Sequence, residues 1–173
     1  LQALKIVLFS IIAAIVFGII HDQFTVRICL EYFTIGHPII FNTTSPTLLA
    51  LGWGIIATWW VGLILGCLLA TSARVGKKSK LTLSQIMPDI FKLLALMGIF
   101  SFIAGITGYI LASQGVVHLV EPMFSRVPAT KHVAFLTDLW AHSASYLIGV
   151  LGGIVLTIKI WRSRTESKVP KSP

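Results

Sequence analysis

The sequence predicts an all-α membrane protein, a bundle of four transmembrane helices with an ordered outer loop. Three observations predict it. Of 173 residues, 55% are hydrophobic and only 12% charged, whereas a soluble domain carries about 25% charged residues. Four long apolar runs stand out, Ile6–Ile20, Leu48–Ala70, Ile90–Ala112 and Val133–Ile160, and roughly 20 such residues cross a hydrocarbon core. The basic residues, finally, gather on one side of that pattern.

The first helix, about 3–21, reaches spanning length only if it takes in the residues around Leu1 and includes His21. Lys5 ahead of an apolar run also fits a secretory signal. No small-x-small cleavage site precedes His21-Asp22-Gln23, so a retained helix is expected. The outer loop 22–47 begins with "FTVRICLEYF", where Phe24, Val26, Ile28, Leu30 and Tyr32 alternate with Thr25, Arg27, Cys29 and Glu31. This period-two pattern predicts a short β segment over 24–33. A helix stays open as the alternative, because Arg27 and Glu31 are four residues apart.

Gly36 and Pro38 then turn the chain, and Ser45-Pro46 suits the start of the second helix, 48–71. The third helix covers 88–113. In the second outer loop, 114–132, His118, Glu121 and Arg126 are interleaved with apolar residues, which places it in the membrane interface. The fourth helix covers 133–161 and closes a single domain, 1–161. The basic tail 162–173 has little apolar surface to bury and is expected to be disordered.

Small residues recur at four-residue spacing: Ser10, Ala14 and Gly18; Gly62, Gly66 and Ala70; Ala104, Gly108 and Ala112; Ala141, Ser145, Gly149 and Gly153. Such stripes let backbones approach closely where no hydrophobic effect drives helices together. They predict a compact bundle, with dimerisation through one stripe as the alternative.

A net charge of +8 raises the question of nucleic acid. Its distribution excludes that partner. Ten of the 14 basic residues lie at Lys5, in the 74–80 stretch "RVGKKSK", and between Lys159 and Lys171. By the positive-inside rule both termini and the 74–80 loop are cytoplasmic, and the partner is the lipid bilayer. Cys29 belongs to the outer loop and Cys67 to the inner part of helix 2. They are too far apart along a helix for a disulfide.

All five histidines and four of the six acidic residues fall on the outer side. Asp138, His142, Ser145 and Gly149 share one helical face, the small-residue stripe of the last helix. His142 precedes Lys159 by about 25 Å of helix and His21 follows Lys5 by about 24 Å. The two histidines therefore lie at matching depth. His21, Asp138 and His142 are expected to converge beneath the outer loop, with Glu31 or His37 completing a metal site and Asp22 as a candidate catalytic base.

Neutral imidazole and carboxylate suit Zn or Fe. The same groups can relay protons in catalysis or satisfy one another as a structural network. Each residue has a plainer reading too. An Asp-x-x-x-His pair arises by chance, His37 can face water in its turn, Glu31 can pair with Arg27, and Asp22 can cap the exposed end of the outer loop.

The strings "HDQFTVRICLEYFTIGHP", "TLLALGWGIIATWW" and "LTDLWAHSASYLIG" resemble a family of small bacterial four-span integral membrane proteins. The resemblance covers most of the chain and implies a multi-pass protein of the bacterial cytoplasmic (inner) membrane. It implies no activity. Three functional expectations follow from the residues: a metal-binding membrane protein, with metal-dependent catalysis as its extension; a non-enzymatic subunit or assembly factor with a membrane-protein partner or a second copy; and a small haem protein with His21 and His142 as axial ligands.

Overall fold

The computed structural model describes residues 1–164. The elements, in order, are α1 (Gln2–Ile28), α2 (Leu30–Thr34), α3 (Pro46–Ile56), α4 (Trp59–Arg74), α5 (Leu83–Ser113), α6 (Met123–Arg126) and α7 (His132–Ser163). A single 3₁₀ turn, Ala129–Lys131, precedes α7. Four segments are long and apolar enough to cross a membrane: α1, α3 with α4, α5, and the turn with α7. The fold is an all-α four-helix bundle.

The expected β segment is absent; no strand occurs among the described residues. α1 instead runs on through Asp22 to Ile28. Two of its polar side chains bond back within the helix: the Thr25 hydroxyl donates to the His21 carbonyl at 3.2 Å, and Arg27 donates to the Gln23 side chain at 2.7 Å. Helical side-chain bonds of this kind outweigh a period-two pattern that has no partner strand. At Cys29 the backbone becomes extended for one residue before α2 begins.

The second span is broken at Ala57 and Thr58, between α3 and α4. Broken helices persist in lipid only where the freed backbone groups are satisfied again. Here the Thr58 amide turns to the Ile55 carbonyl at 3.3 Å, and the Thr58 hydroxyl takes over the Gly54 carbonyl. α5 begins with a reciprocal cap, in which the Thr82 amide donates to the Gln85 side chain at 2.8 Å.

α1 packs along α3 and α4, and α5 packs along α7. Glycines set the closeness of the first pair. A Cβ on Gly62 would fall 2.7 Å from the Ile11 Cα, and one on Gly54 would fall 2.6 Å from the Ile19 Cα. The two pairs meet more sparsely, chiefly through α4 and α7.

Each end of the bundle has its own apolar core. Ile6, Leu69, Ile86, Ile90 and Leu156 form one beside the basic residues. Val26, Phe33, Leu49, Trp53 and Phe135 form the other at the histidine end. The basic end is tied by Arg164, which is buried and donates to the carbonyls of Ser72, Lys78 and Ser79. α7 thus runs past the expected boundary at 161. The tail expected to be disordered lies, from 165 to 173, outside the described residues.

Candidate metal centre

The polar cluster lies between the two cores. α1 supplies His21 and Asp22, and α7 supplies His142. One ligand atom from each of these three residues lies within 4.8 Å of the others. Helix continuation past His21 is what brings Asp22 into the bundle, where it is 6% exposed. The group His21, Asp22 and His142 can hold a metal.

His142 is fixed by its own helix. Its Nδ1 lies 2.8 Å from the Asp138 carbonyl oxygen, one turn earlier. A carbonyl only accepts, so Nδ1 carries the hydrogen and donates. In the neutral ring Nε2 is then left with a lone pair. That Nε2 faces Asp22 Oδ1 at 3.3 Å, and a carboxylate is also an acceptor. Two lone pairs at this distance require a cation between or upon them, either a proton or a metal ion.

His21 adds a third donor. Its ring meets His142 edge-on with centroids 4.4 Å apart. Nδ1 lies 3.5 Å from the Ser101 hydroxyl, while Nε2 is buried without a hydrogen-bond partner. Tyr32 stacks on His142 at 4.6 Å and 28°. Burial, and then the neighbouring Tyr146, Asp138 and Asp22, push the Tyr32 phenol above its ordinary value.

The other sequence candidates stand apart from these three ligand atoms. His37 bonds to the Tyr32 carbonyl through Nδ1 at 2.8 Å and packs against Trp53 with centroids 4.5 Å apart. Burial holds its imidazole below the usual histidine value. It borders the same cavity as the cluster without joining the group. Glu31 pairs with Lys131 at 3.5 Å and accepts from the Cys29 thiol at 3.5 Å. Arg27, its expected partner, is turned to Gln23 and Thr47 instead.

Asp138 is the most enclosed acidic residue among the described residues, 0% exposed. It serves His142 through its backbone carbonyl, and neither carboxylate oxygen has a hydrogen-bond partner. The nearby Cys29 amide is committed to the Thr25 carbonyl at 3.0 Å. Burial, with Asp138 and Glu31 adding to it, pushes the Cys29 thiol up to about 12.

Sequence reasoning passed over Tyr32, Ser101 and Tyr146. Tyr146 was within reach, since it follows His142 by four residues and so shares its helical face. Nothing local marked the other two, whose roles arise from tertiary contact.

A haem between His21 and His142 does not fit. Axial ligands sandwich the porphyrin, and rings in edge contact at 4.4 Å leave no gap for its plane. Fold and site together define a polytopic helical membrane protein with a largely buried His/Asp/His group. Comparison of the chain with protein-family models, curated proteins and solved structures finds no match, so the functional reading rests on the site itself.

Proposed function

We propose that the protein binds a transition-metal ion, Zn²⁺ or Fe²⁺, through His21, Asp22 and His142, and uses it as a metal-dependent enzyme at the outer face of the bacterial inner membrane. The observation that carries this reading is the opposition of His142 Nε2 and Asp22 Oδ1 at 3.3 Å, with Nδ1 already committed to the Asp138 carbonyl. A proton can satisfy that pair, but it leaves the buried His21 Nε2 unmatched. A metal ion would take one ligand atom from each of the three residues. With metal–ligand bonds of about 2.0–2.1 Å, the edge of a tetrahedron is about 3.3 Å, close to the spacing of the two nearer ligand atoms.

Two imidazoles and one carboxylate leave coordination positions open, as in catalytic rather than structural sites. A bound metal would supply Lewis-acid activation of water near neutral pH. The Asp138 carbonyl fixes the tautomer of His142, the part that outer-shell acceptors play at metal-bound histidines. Tyr32 lays its phenol ring against His142.

The competing reading is a His142–Asp22 ion pair inside a structural network, which suits a subunit or assembly factor. It is favoured by the same 3.3 Å contact. Cobalt substitution separates the two. Protein loaded with Co²⁺ is expected to give d–d bands of low-coordinate nitrogen and oxygen ligation that shift when acetohydroxamate occupies an open position. Retention of cobalt with a spectrum indifferent to acetohydroxamate contradicts the catalytic reading, and failure to retain cobalt contradicts the metal site.

A further inference from the structure

The two helix pairs part near the cluster and leave a cavity of about 400 Å³ between them. One end of it is polar, bounded by His21, Asp22, His37 and His142. The rest is mostly apolar, with Phe17, Leu65, Leu93 and Met97 in its wall. The wall reaches Ser10 on α1 and Gly153 on α7, each 11 residues from the histidine of its own helix, or about 16 Å. Spread over that length, the volume has the girth of one alkyl chain.

The cavity also meets the bilayer. Trp60, Ile64 and Leu68 on α4 form one row of its wall, and Tyr146, Val150 and Ile154 on α7 form another. All six keep exposed surface, and the cavity they line is partly open to the outside of the bundle, which in a membrane is the lipid face. A slot between these rows therefore connects lipid to the interior.

The small residues of α7 keep this space open. A Cβ on Gly149 would meet only the flexible end of Met97, at 3.2 Å from its Cε. On α4, by contrast, a Cβ on Gly62 runs into the backbone of α1. Both glycines line the cavity, but only Gly62 is also pressed against a neighbouring backbone.

We infer that the cavity seats the acyl chain of a single-chain lipid amphiphile, with its carbonyl or carboxyl head at His21, Asp22 and His142. The placement of the head rests on the metal reading above; the placement of the chain does not. The tail enters laterally through the slot, and the head comes to rest where an open metal position would polarise its oxygen. An apolar tunnel ending in a polar group able to hold a metal matches an amphiphile and not a pure hydrocarbon.

The test uses dodecanoic acid carrying a diazirine at its chain end, added to the protein in phosphatidylcholine vesicles and photolysed, with cross-links mapped by mass spectrometry. The expected cross-links fall on Leu65, Leu93 and Met97. Labelling confined to the outward-facing Leu147, Leu151 and Val155 overturns the inference, and the wild-type map alone decides that point. In Gly149→Leu, cavity labelling is expected to fall about tenfold, what two displaced methylenes are worth, with metal content unchanged. Undiminished labelling in a folded Gly149→Leu also overturns it. Cavity labelling in protein that holds no metal supports the chain site while contradicting the proposed metal function.

Discussion

At the scale of single residues, metal binding turns on which of two aspartates acts through its carboxylate. Asp22 points an oxygen at His142, whereas Asp138 offers His142 only its backbone carbonyl. Asp22→Asn and His142→Ala are each expected to weaken metal binding by more than about 100-fold, since even partners outside the ligand shell are worth 10–100-fold. Asp138→Asn keeps the backbone and should retain metal as the wild type does. Competitive titration against a metal indicator measures all three. Cys29 gives a second prediction at this scale. Its thiol is fully buried and pushed up to about 12, so at pH 8 it is neutral and shielded. Maleimide should modify it only after denaturation; rapid labelling of folded protein would contradict its placement.

At the scale of elements, glycines with the same sequence spacing do different work. Gly62→Ala puts a methyl against the backbone of α1 and is expected to cost about 1–3 kcal/mol, as overpacking does. Gly149→Ala meets only the end of Met97 and should leave stability unchanged. Thermal unfolding in one detergent compares them, and equal losses would refute the distinction. This is also where sequence legibility ends. The spans were readable because membrane helices need long apolar runs, and His21 and His142 were readable because depth follows from helical rise. Asp22 was legible as titratable but not as a neighbour of His142, because the polar triplet His21-Asp22-Gln23 looked like a helix end. The helix continues since Thr25 and Arg27 bond back within it. No periodicity could tell the stripe of α7 from that of α4, because the difference lies in what each one faces.

At the scale of the whole molecule, two apolar cores hold the ends of the bundle together while a titratable cluster and an apolar cavity occupy the space between. That arrangement suits chemistry on a molecule drawn from lipid, provided that the cluster lies at the outer face. Orientation is therefore a prediction of its own. Lys77→Cys and Gln114→Cys place thiols on exposed residues at opposite ends. In intact cells a membrane-impermeant maleimide should reach Gln114→Cys and not Lys77→Cys; the reverse pattern would place the site on the cytoplasmic side. The most direct test of the central claim is elemental analysis of protein purified without chelator, run beside His142→Ala and Asp138→Asn. The account predicts a stoichiometric transition metal in the wild type and in Asp138→Asn, and its loss from a folded His142→Ala. A metal-free wild type after native loading, or equal metal in all three, would contradict it.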